Sequence, residues 1–166
     1  MILIGIGANL PSDYGPPLQT CEAALTELSA AGIVVSRRSR WYESAPEPAS
    51  AQPWYVNGVA ELDTGVEPPA LLDALHRIEA KFGRDEAARV EKNAARPLDL
   101  DLLCYHERLA AAPSRPVLPH PRMHQRAFVL LPLRELAPAW RHPDSGAALD
   151  DLIADLPLQS TARPII

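Results

Sequence analysis

The chain has few cysteines and no long hydrophobic segment, and both absences exclude classes of protein. Cys21 and Cys104 are its two cysteines among 166 residues. A disulfide-stapled secreted domain is therefore excluded, and both thiols are expected to be buried in a reducing compartment. No apolar run reaches the length of a membrane span. Residues 1–8 lack a basic leader and a small-residue cleavage site, so they predict a first strand rather than a signal peptide. We expect a cytoplasmic protein that binds no membrane.

Acidic residues are absent from one long stretch of an otherwise acidic chain. The net charge is −5, which argues against a nucleic-acid-binding protein. Between positions 108 and 134 there is no Asp or Glu, although five arginines and two histidines occur there. They are Arg108, Arg115, His120, Arg122, His124, Arg126 and Arg134. This distribution indicates a local anion site, and a chance fluctuation on a solvated surface is the alternative.

Short elements separated by prolines predict a mixed fold. The 18 prolines divide the chain, and no internal repeat or low-complexity tract is present. Apolar residues alternate or run continuously in four segments that predict strands, at 2–8, 33–42, 54–63 and 97–105. Apolar residues recur every three or four positions in two segments that predict helices, at 18–28 and 71–82. The order β-α-β-β-α-β predicts an α+β fold, a ferredoxin-like split βαβ antiparallel sheet with both helices on one face.

The remaining residues, 106–166, are expected to add an irregular segment and then two C-terminal helices. The first helix is predicted near 131–136, with Pro132 in its first turn, because proline is tolerated there. The second is predicted over 149–156. Hydrophobic residues make up 47% of the chain, which suits a soluble globular protein with a full core. Residues 1–166 are therefore expected to form one domain.

Two carboxylates stand close together in the segment Arg96-Pro97-Leu98-Asp99-Leu100-Asp101-Leu102-Leu103. In a strand, side chains alternate between faces, so Asp99 and Asp101 would share one face and the intervening leucines the other. Adjacent anions repel unless a cation lies between them. Mg²⁺ commonly bridges one or two carboxylates to the phosphates of a substrate. With Arg96 just upstream, the pair predicts phosphate chemistry, whereas Asp-x-Asp alone also occurs on solvated strand faces and in turns.

Two other patterns carry less information. His120 and His124 have the spacing of a zinc-binding pair on a helix, but the prolines on both sides of His120 argue against a helix there. Gly5 and Gly7 resemble the start of a dinucleotide-binding loop, but Pro11 and the missing third glycine argue against it. We expect these two glycines to shape a tight exit from the first strand.

The chain resembles the 6-hydroxymethyl-7,8-dihydropterin pyrophosphokinases of folate biosynthesis across almost its whole length. The strongest segment is Lys92-x-Ala94-Ala95-Arg96-x-x-Asp99-Leu100-Asp101-Leu102-Leu103, which fits the family signature of a basic residue, two small residues, an arginine and an acid pair. Further segments match the family in the same order along the chain. They are Ile4-Gly5-Ile6-Gly7-Ala8-Asn9-Leu10, Gln52-Pro53-x-Tyr55-x-Asn57, Ile78-Glu79, Gly83-Arg84, Pro119-His120, Arg126-x-Phe128 and Pro132-Leu133.

The resemblance implies an activity and a set of site residues. The activity is transfer of the diphosphate of ATP to the hydroxymethyl group of a reduced pterin, with release of AMP. The resemblance implies two Mg²⁺ ions held by Asp99 and Asp101, which are implied to be catalytic together with Arg84 and Arg96. The residues implied to bind ATP are Glu79, Arg84, Lys92, Arg96, Leu102, Arg115, His120 and Arg126. Those implied to bind the pterin are Ser44, Ala45, Pro46, Tyr55, Asn57 and Phe128, with Tyr55 and Phe128 stacking on its faces. The partners would be small molecules, and the resemblance suggests that the protein is a monomer.

Alternatives stay open at this point. The same scaffold could carry another Mg-nucleotide-dependent transferase or a non-catalytic nucleotide- or pterin-binding module. Ordinary core packing is the alternative for Tyr55 and Phe128. Three positions depart from the family pattern, namely Asn93 and Pro121, where aromatic residues are frequent, and Ala45 in the pterin loop. We expect these departures to change affinities without abolishing activity.

Overall fold

A six-stranded antiparallel sheet forms the centre of the structure, a computed structural model that describes residues 1–83 and 95–165. The strands are β1 (Ile2–Ala8), β2 (Val34–Arg38), β3 (Tyr42–Ser44), β4 (Tyr55–Asp63), β5 (Asp99–Tyr105) and β6 (Ala162–Pro164). The helices are α1 (Pro17–Ala30), α2 (Pro68–Lys81), α3 (Ala127–Leu136) and α4 (Leu149–Ala154). The strand order is β5-β1-β4-β3-β6, and β2 also pairs with β4. The predicted α+β, ferredoxin-like arrangement is confirmed.

The segment predicted as one strand at 33–42 is two strands on the same edge of β4. β2 pairs with the second half of β4 and β3 with its first half. Between them, the Trp41 side chain turns into the core and packs on Gly58, where an added Cβ would lie 2.7 Å from the indole ring. The prediction of a continuous strand was wrong because regular pairing with β4 stops after Arg38 and resumes at Tyr42.

Helices α1 and α2 cover one face of the sheet, as predicted. Both begin with proline in the first turn, where its missing N–H leaves no helical hydrogen bond unmade. Their apolar stripes pack on alternate residues of the strands, so that Leu28, Leu71 and Leu75 are buried against Ile4 and Leu100. This apolar burial is the main source of stability for that layer.

The opposite face of the sheet is only partly open, which differs from the expected uncovered surface. Helices α3 and α4 cover one half of it, where Leu3, Val59 and Leu103 pack beneath Leu130 and Leu133. The other half of this face carries Gly5, Gly7, Asp99 and Asp101 and remains accessible. The fold thus leaves a polar recess beside an apolar layer.

The C-terminal part differs from the sequence prediction in two respects. Helix α3 begins at Ala127, so Pro132 lies inside it rather than in its first turn. The proline has no N–H for the Phe128 carbonyl, and the helix tolerates this cost because Pro132 and its neighbours are buried against the sheet. The strand β6 was not predicted. Among the described residues, no helix has the length and apolar character needed to span a membrane.

Candidate active site

Strand alternation brings the two carboxylates to the open half of the sheet face. Asp99 and Asp101 are partly exposed, whereas Leu100 and Leu102 between and after them are buried on the helix face. The β1 residues that pair with them are Gly7 and Gly5, respectively. Both glycines lie within β1, so the prediction that they shape the strand exit was wrong. Because they have no side chains, they leave space in front of the carboxylates.

A cavity of about 480 Å³ opens above these strands. This volume lies in the range of small-molecule binding sites. Most of the residues implied to be functional line the cavity. They are Ser44, Ala45, Pro46, Tyr55, Asn57, Glu79, Arg96, Asp99, Asp101, Arg126 and Phe128. Segments that are far apart in sequence therefore converge on one recess.

Each carboxylate has an arginine partner. The Arg96 guanidinium donates a hydrogen bond to Asp99 Oδ1 at 2.9 Å, and Arg126 donates to Asp101 Oδ2 at 3.3 Å. Burial lowers the pKa of Arg96, but attraction by Asp99 outweighs it and the net pKa is raised. Burial lowers the pKa of Arg126, and Asp101 opposes that change. Both guanidinium groups stay charged, because arginine does not lose its proton in proteins.

His120 lies beside the same carboxylate, with Nε2 at 3.9 Å from Asp101 Oδ2. Burial, followed by repulsion from Arg126 and Arg122, lowers the pKa of His120 to about 4. The imidazole is therefore neutral near pH 7, and it can offer one donor and one acceptor rather than a positive charge. Its main-chain N–H donates to the Leu103 carbonyl at 2.7 Å, which holds this segment against β5.

A buried glutamate fixes the strand that carries the acid pair. Glu79 on α2 is 1% exposed, and its Oε1 accepts a hydrogen bond from the Leu100 N–H at 2.7 Å. Leu100 stands between Asp99 and Asp101 in sequence, so this bond sets the height of both carboxylates relative to α2. Loss of this bond would leave a buried N–H without a partner, which costs more free energy than the bond itself contributes.

Asn9 connects the Arg96 side of the cavity to the side formed by Gln52 and Tyr55. Its Oδ1 accepts from the Arg96 N–H at 2.9 Å, and its Nδ2 donates to Gln52 Oε1 at 3.2 Å and to the Pro53 carbonyl at 3.3 Å. The Tyr55 hydroxyl donates to the same Gln52 oxygen at 3.3 Å. Asn9 is 1% exposed. One buried amide thus joins the main chain at Arg96 to the loop before Tyr55.

Aromatic and amide groups form the other end of the cavity. Tyr55 and Phe128 both line it and are only partly buried, so neither ring belongs to the fully buried core. The Arg126 guanidinium lies 5.3 Å from the Phe128 ring centroid. Asn57 donates to Ser44 Oγ at 2.9 Å, which leaves its carbonyl oxygen facing Gly7. Burial raises the pKa of the Tyr55 phenol, which keeps it protonated.

Several predicted residues do not line this cavity. The Leu102 side chain is 3% exposed and packs in the core on the helix face, so a nucleotide contact would need its main chain. Arg115 lines a separate recess on the outer side of α2, together with Leu72 and His76, which line both cavities. Arg84 and Lys92 lie outside the described residues, as does Asn93.

Only some of the basic residues in the acid-free segment, 108–134, lie at the cavity. Arg122 and Arg126 line the cavity, whereas Arg108 pairs with Glu67 and Arg134 with Asp150 elsewhere. The His120 and His124 side chains separate, because the His124 ring packs against His142 with 5.5 Å between centroids. In the ranges 1–83 and 95–165, no three His, Cys, Asp or Glu side chains are grouped to hold a metal ion.

Sequence reasoning assigned no role in the site to four residues that contribute to it. Asn9 acts only through tertiary hydrogen bonds, and nothing in its local sequence shows them. His76 and Leu72 precede Glu79 by one and two helical turns, so helical periodicity could have placed them on the same side of α2. Glu47 lies on an irregular segment, where no periodicity predicts orientation.

The chain matches the family described as 7,8-dihydro-6-hydroxymethylpterin-pyrophosphokinase (HPPK) over residues 3–138. A Synechocystis protein named 2-amino-4-hydroxy-6-hydroxymethyldihydropteridine pyrophosphokinase is 43% identical over 152 residues, covering 91% of this chain and 73% of the relative. A Pseudomonas aeruginosa protein of the same name is 40% identical over 162 residues, covering 98% and 95%. A Haemophilus influenzae protein of that name is 39% identical over 137 residues, covering 81% and 79%.

Proposed function

Because the chain belongs to the 7,8-dihydro-6-hydroxymethylpterin-pyrophosphokinase family, we propose that the cavity between β1, β5 and the 44–53 loop is its active site. The chain is a transferase of folate biosynthesis that moves the diphosphate of ATP to the hydroxymethyl group of 6-hydroxymethyl-7,8-dihydropterin and releases AMP. One observation carries the assignment of the site: Asp99 and Asp101 lie side by side on the cavity floor, each beside an arginine.

The acid pair has the chemistry that magnesium requires. Mg²⁺ prefers oxygen ligands and is usually held by one or two carboxylates together with substrate phosphates, rather than by a full protein cage. Asp99 and Asp101 supply such oxygens, and the glycines opposite them leave room for phosphates. We propose that they hold two Mg²⁺ ions with ATP. When bound, Mg²⁺ neutralises the triphosphate and offsets charge at the reacting phosphorus.

The arginines beside the acid pair would orient the triphosphate. Arg96 and Arg126 stay charged and present paired donors, which suit phosphate oxygens. Binding would exchange part of their contact with Asp99 and Asp101 for contact with phosphate. Arg84 and Lys92 are proposed to contribute further positive charge, with Arg84 catalytic. Positioning and electrostatic stabilisation would supply most of the acceleration, because this reaction leaves the protein little covalent work.

The remaining nucleotide contacts would come from both sides of β5. We propose that Glu79, Arg115 and His120 bind ATP and that Leu102 does so through its main chain. A neutral His120 can hydrogen-bond a hydroxyl or a ring nitrogen without adding charge. The recess that contains Arg115 adjoins the main cavity at Leu72 and His76, which is consistent with a ligand that extends past α2.

The aromatic end of the cavity suits a flat heterocycle. We propose that Tyr55 and Phe128 stack on the pterin and that Asn57 hydrogen-bonds its edge, with Ser44, Ala45 and Pro46 completing that side. An amide offers a donor and an acceptor together, as an aminopyrimidinone edge requires. The partial exposure of both rings within the cavity supports this assignment over core packing.

Family membership also bears on the setting in which the enzyme works. We propose that residues 1–166 work as one domain and as a monomer in the cytoplasm, with small molecules rather than nucleic acid or membranes as partners. Alignment with the Pseudomonas relative over 98% of this chain and 95% of that protein supports a single unit.

Product analysis tests the function directly. The protein is incubated with ATP, Mg²⁺ and hydroxymethyl-dihydropterin, and the nucleotide products are separated by chromatography. We expect AMP and the pterin diphosphate in equal amounts. ADP as the product would indicate a different phosphoryl transfer, and tight binding without turnover would indicate a non-catalytic module.

A further inference from the structure

The C-terminal tail reaches back to the cavity although it lies outside residues 3–138, which match the family. Strand β6 pairs antiparallel with β3, so that Ala162 lies opposite Ser44 and Pro164 opposite Tyr42. The Ile165 N–H donates to the Trp41 carbonyl at 2.8 Å. We call residues 157–165 the C-terminal strap. It extends the sheet on the edge next to the 44–53 loop.

One hydroxyl of the strap joins two walls of the cavity. Ser160 Oγ donates to Glu47 Oε1 at 2.7 Å and accepts a hydrogen bond from the Ala127 N–H at 3.3 Å. A serine hydroxyl has one donor and two acceptor sites, so it can make both bonds together. Glu47 lines the cavity, and Ala127 stands between Arg126 and Phe128, which also line it.

The hydrogen bond from the Ala127 N–H to Ser160 supplies the side-chain cap that α3 otherwise lacks. Ala127 is the first residue of α3, and the residue before it, Arg126, makes no side-chain cap. The first N–H groups of a helix have no partner within the helix. Ser160 therefore caps α3 from a segment more than thirty residues away in sequence. Its hydroxyl fixes the start of the helix on which Phe128 is mounted.

A second contact places the strap beside the other aromatic residue. The Arg163 guanidinium lies 5.3 Å from the Trp54 ring centroid and also pairs with Glu43. Trp54 directly precedes Tyr55. The strap thus touches the neighbours of Phe128 and Tyr55, and neither Ser160 nor Arg163 lines the cavity.

We propose that Ser160 is a positioning residue for the pterin, acting through Glu47 and through the N-terminus of α3. This rests on the proposed function of Tyr55 and Phe128 as the pterin-stacking pair. The strand that carries the carboxylates and the Arg96 main chain are held by Glu79 and Asn9 instead, and the Arg126 side chain is held by its own hydrogen bond to Asp101. Loss of the Ser160 hydroxyl should therefore weaken pterin binding and spare the nucleotide side of the cavity.

The test compares Ser160→Ala, Ser160→Thr and a control, Ser29→Ala, in the full-length chain. Ser29 is an exposed helical serine whose hydroxyl bonds only to the Leu25 carbonyl among the described residues. We expect Ser160→Ala to raise the KM for the pterin about five- to tenfold, the effect of losing one or two hydrogen bonds. The KM for ATP and kcat should change less than about twofold. Ser160→Thr keeps the hydroxyl and should restore the KM, and Ser29→Ala should match the parent protein.

Phe128→Ala, measured in parallel, separates this proposal from the assignment of the pterin site. If Phe128→Ala raises the KM for the pterin and Ser160→Ala does not, the role of the strap is refuted while the pterin site stands. If neither raises it, both fail. An equal rise in both KM values with a lowered melting temperature would mean general destabilisation and would overturn the proposal. A rise that Ser160→Thr does not reverse would assign the effect to packing, with the same consequence.

Discussion

One face of the sheet has a closed half beneath α3 and α4 and an open half at the cavity. Strands β1, β4 and β5 contribute residues to both halves. On β5 the residues on this face run Asp99, Asp101 and then Leu103, and on β1 they run Gly7, Gly5 and then Leu3. A shift of two residues along a strand takes a side chain from the cavity into the apolar layer under α3. The apolar layer therefore begins at the next residue on the same face and supports the cavity. Substitutions in the two halves should affect activity and stability separately.

The largest effect should come from the open half. Asp99→Ala or Asp101→Ala should lower kcat by about a thousandfold or more, because the carboxylates are proposed to hold the ions that stabilise charge in the transition state. The melting temperature should change little, since both side chains are partly exposed. AMP release under saturating substrates is the measurement. Asp63→Ala, at the exposed end of β4, is the control, and near-normal turnover in either variant would refute the metal assignment.

The closed half should show the opposite behaviour. Leu103→Ala removes a side chain that is 0% exposed, which should lower the free energy of unfolding by about 2–5 kcal/mol. The KM values and kcat of the folded fraction should stay close to those of the parent protein. Urea denaturation followed by fluorescence gives the first quantity and steady-state kinetics the second. If Leu103→Ala altered turnover as strongly as the Asp101 variant, the two halves would not be independent.

Two glycines on the cavity floor test the comparison more finely. A Cβ at Gly7 would lie 3.1 Å from Asn57 Oδ1, whereas at Gly5 the nearest atom is Leu103 Cδ2 at 3.6 Å. Gly7→Ala should raise the KM for the pterin roughly tenfold by displacing the amide, an effect comparable to one or two lost hydrogen bonds. Gly5→Ala is the matched variant and should have a smaller effect. Equal effects would place the pterin elsewhere.

The smallest effect concerns pH and the closed half. His142 is 7% exposed beside Trp140, which packs against the apolar layer. Burial, followed by repulsion from His124, lowers the pKa of His142, and Asp144 opposes this. The unfolded chain then binds more protons just below pH 6.5, so stability should fall as the pH drops through that range. His142→Gln should flatten this slope in denaturation curves recorded from pH 7 to 5, and an unchanged slope would refute the role of His142.

Local periodicity predicted the shared face of the acid pair, and the family resemblance supplied the other site residues. Two-residue alternation placed Asp99 and Asp101 on one face, and helical spacing placed Glu79 on α2. The separation of β2 from β3 accompanies the packing of Trp41 on Gly58, and the order of residues alone does not predict that contact. Strand β6 has the sequence Ala-Arg-Pro, which carries no strand signal, and it forms because β3 offers a free edge. Arg108 and Arg134 lie away from the cavity and pair with Glu67 and Asp150, which the order of residues does not show.

Strand β5 lies at the edge of the sheet, and its outward main-chain groups are partly occupied. The Leu100 N–H donates a hydrogen bond to the Glu79 side chain, and the Leu103 carbonyl accepts one from the His120 N–H. An unoccupied edge is a template on which a strand of another molecule can add. The contacts that fix the acid pair therefore also guard this edge against intermolecular β-pairing, so variants that loosen Glu79 should aggregate more readily at high concentration.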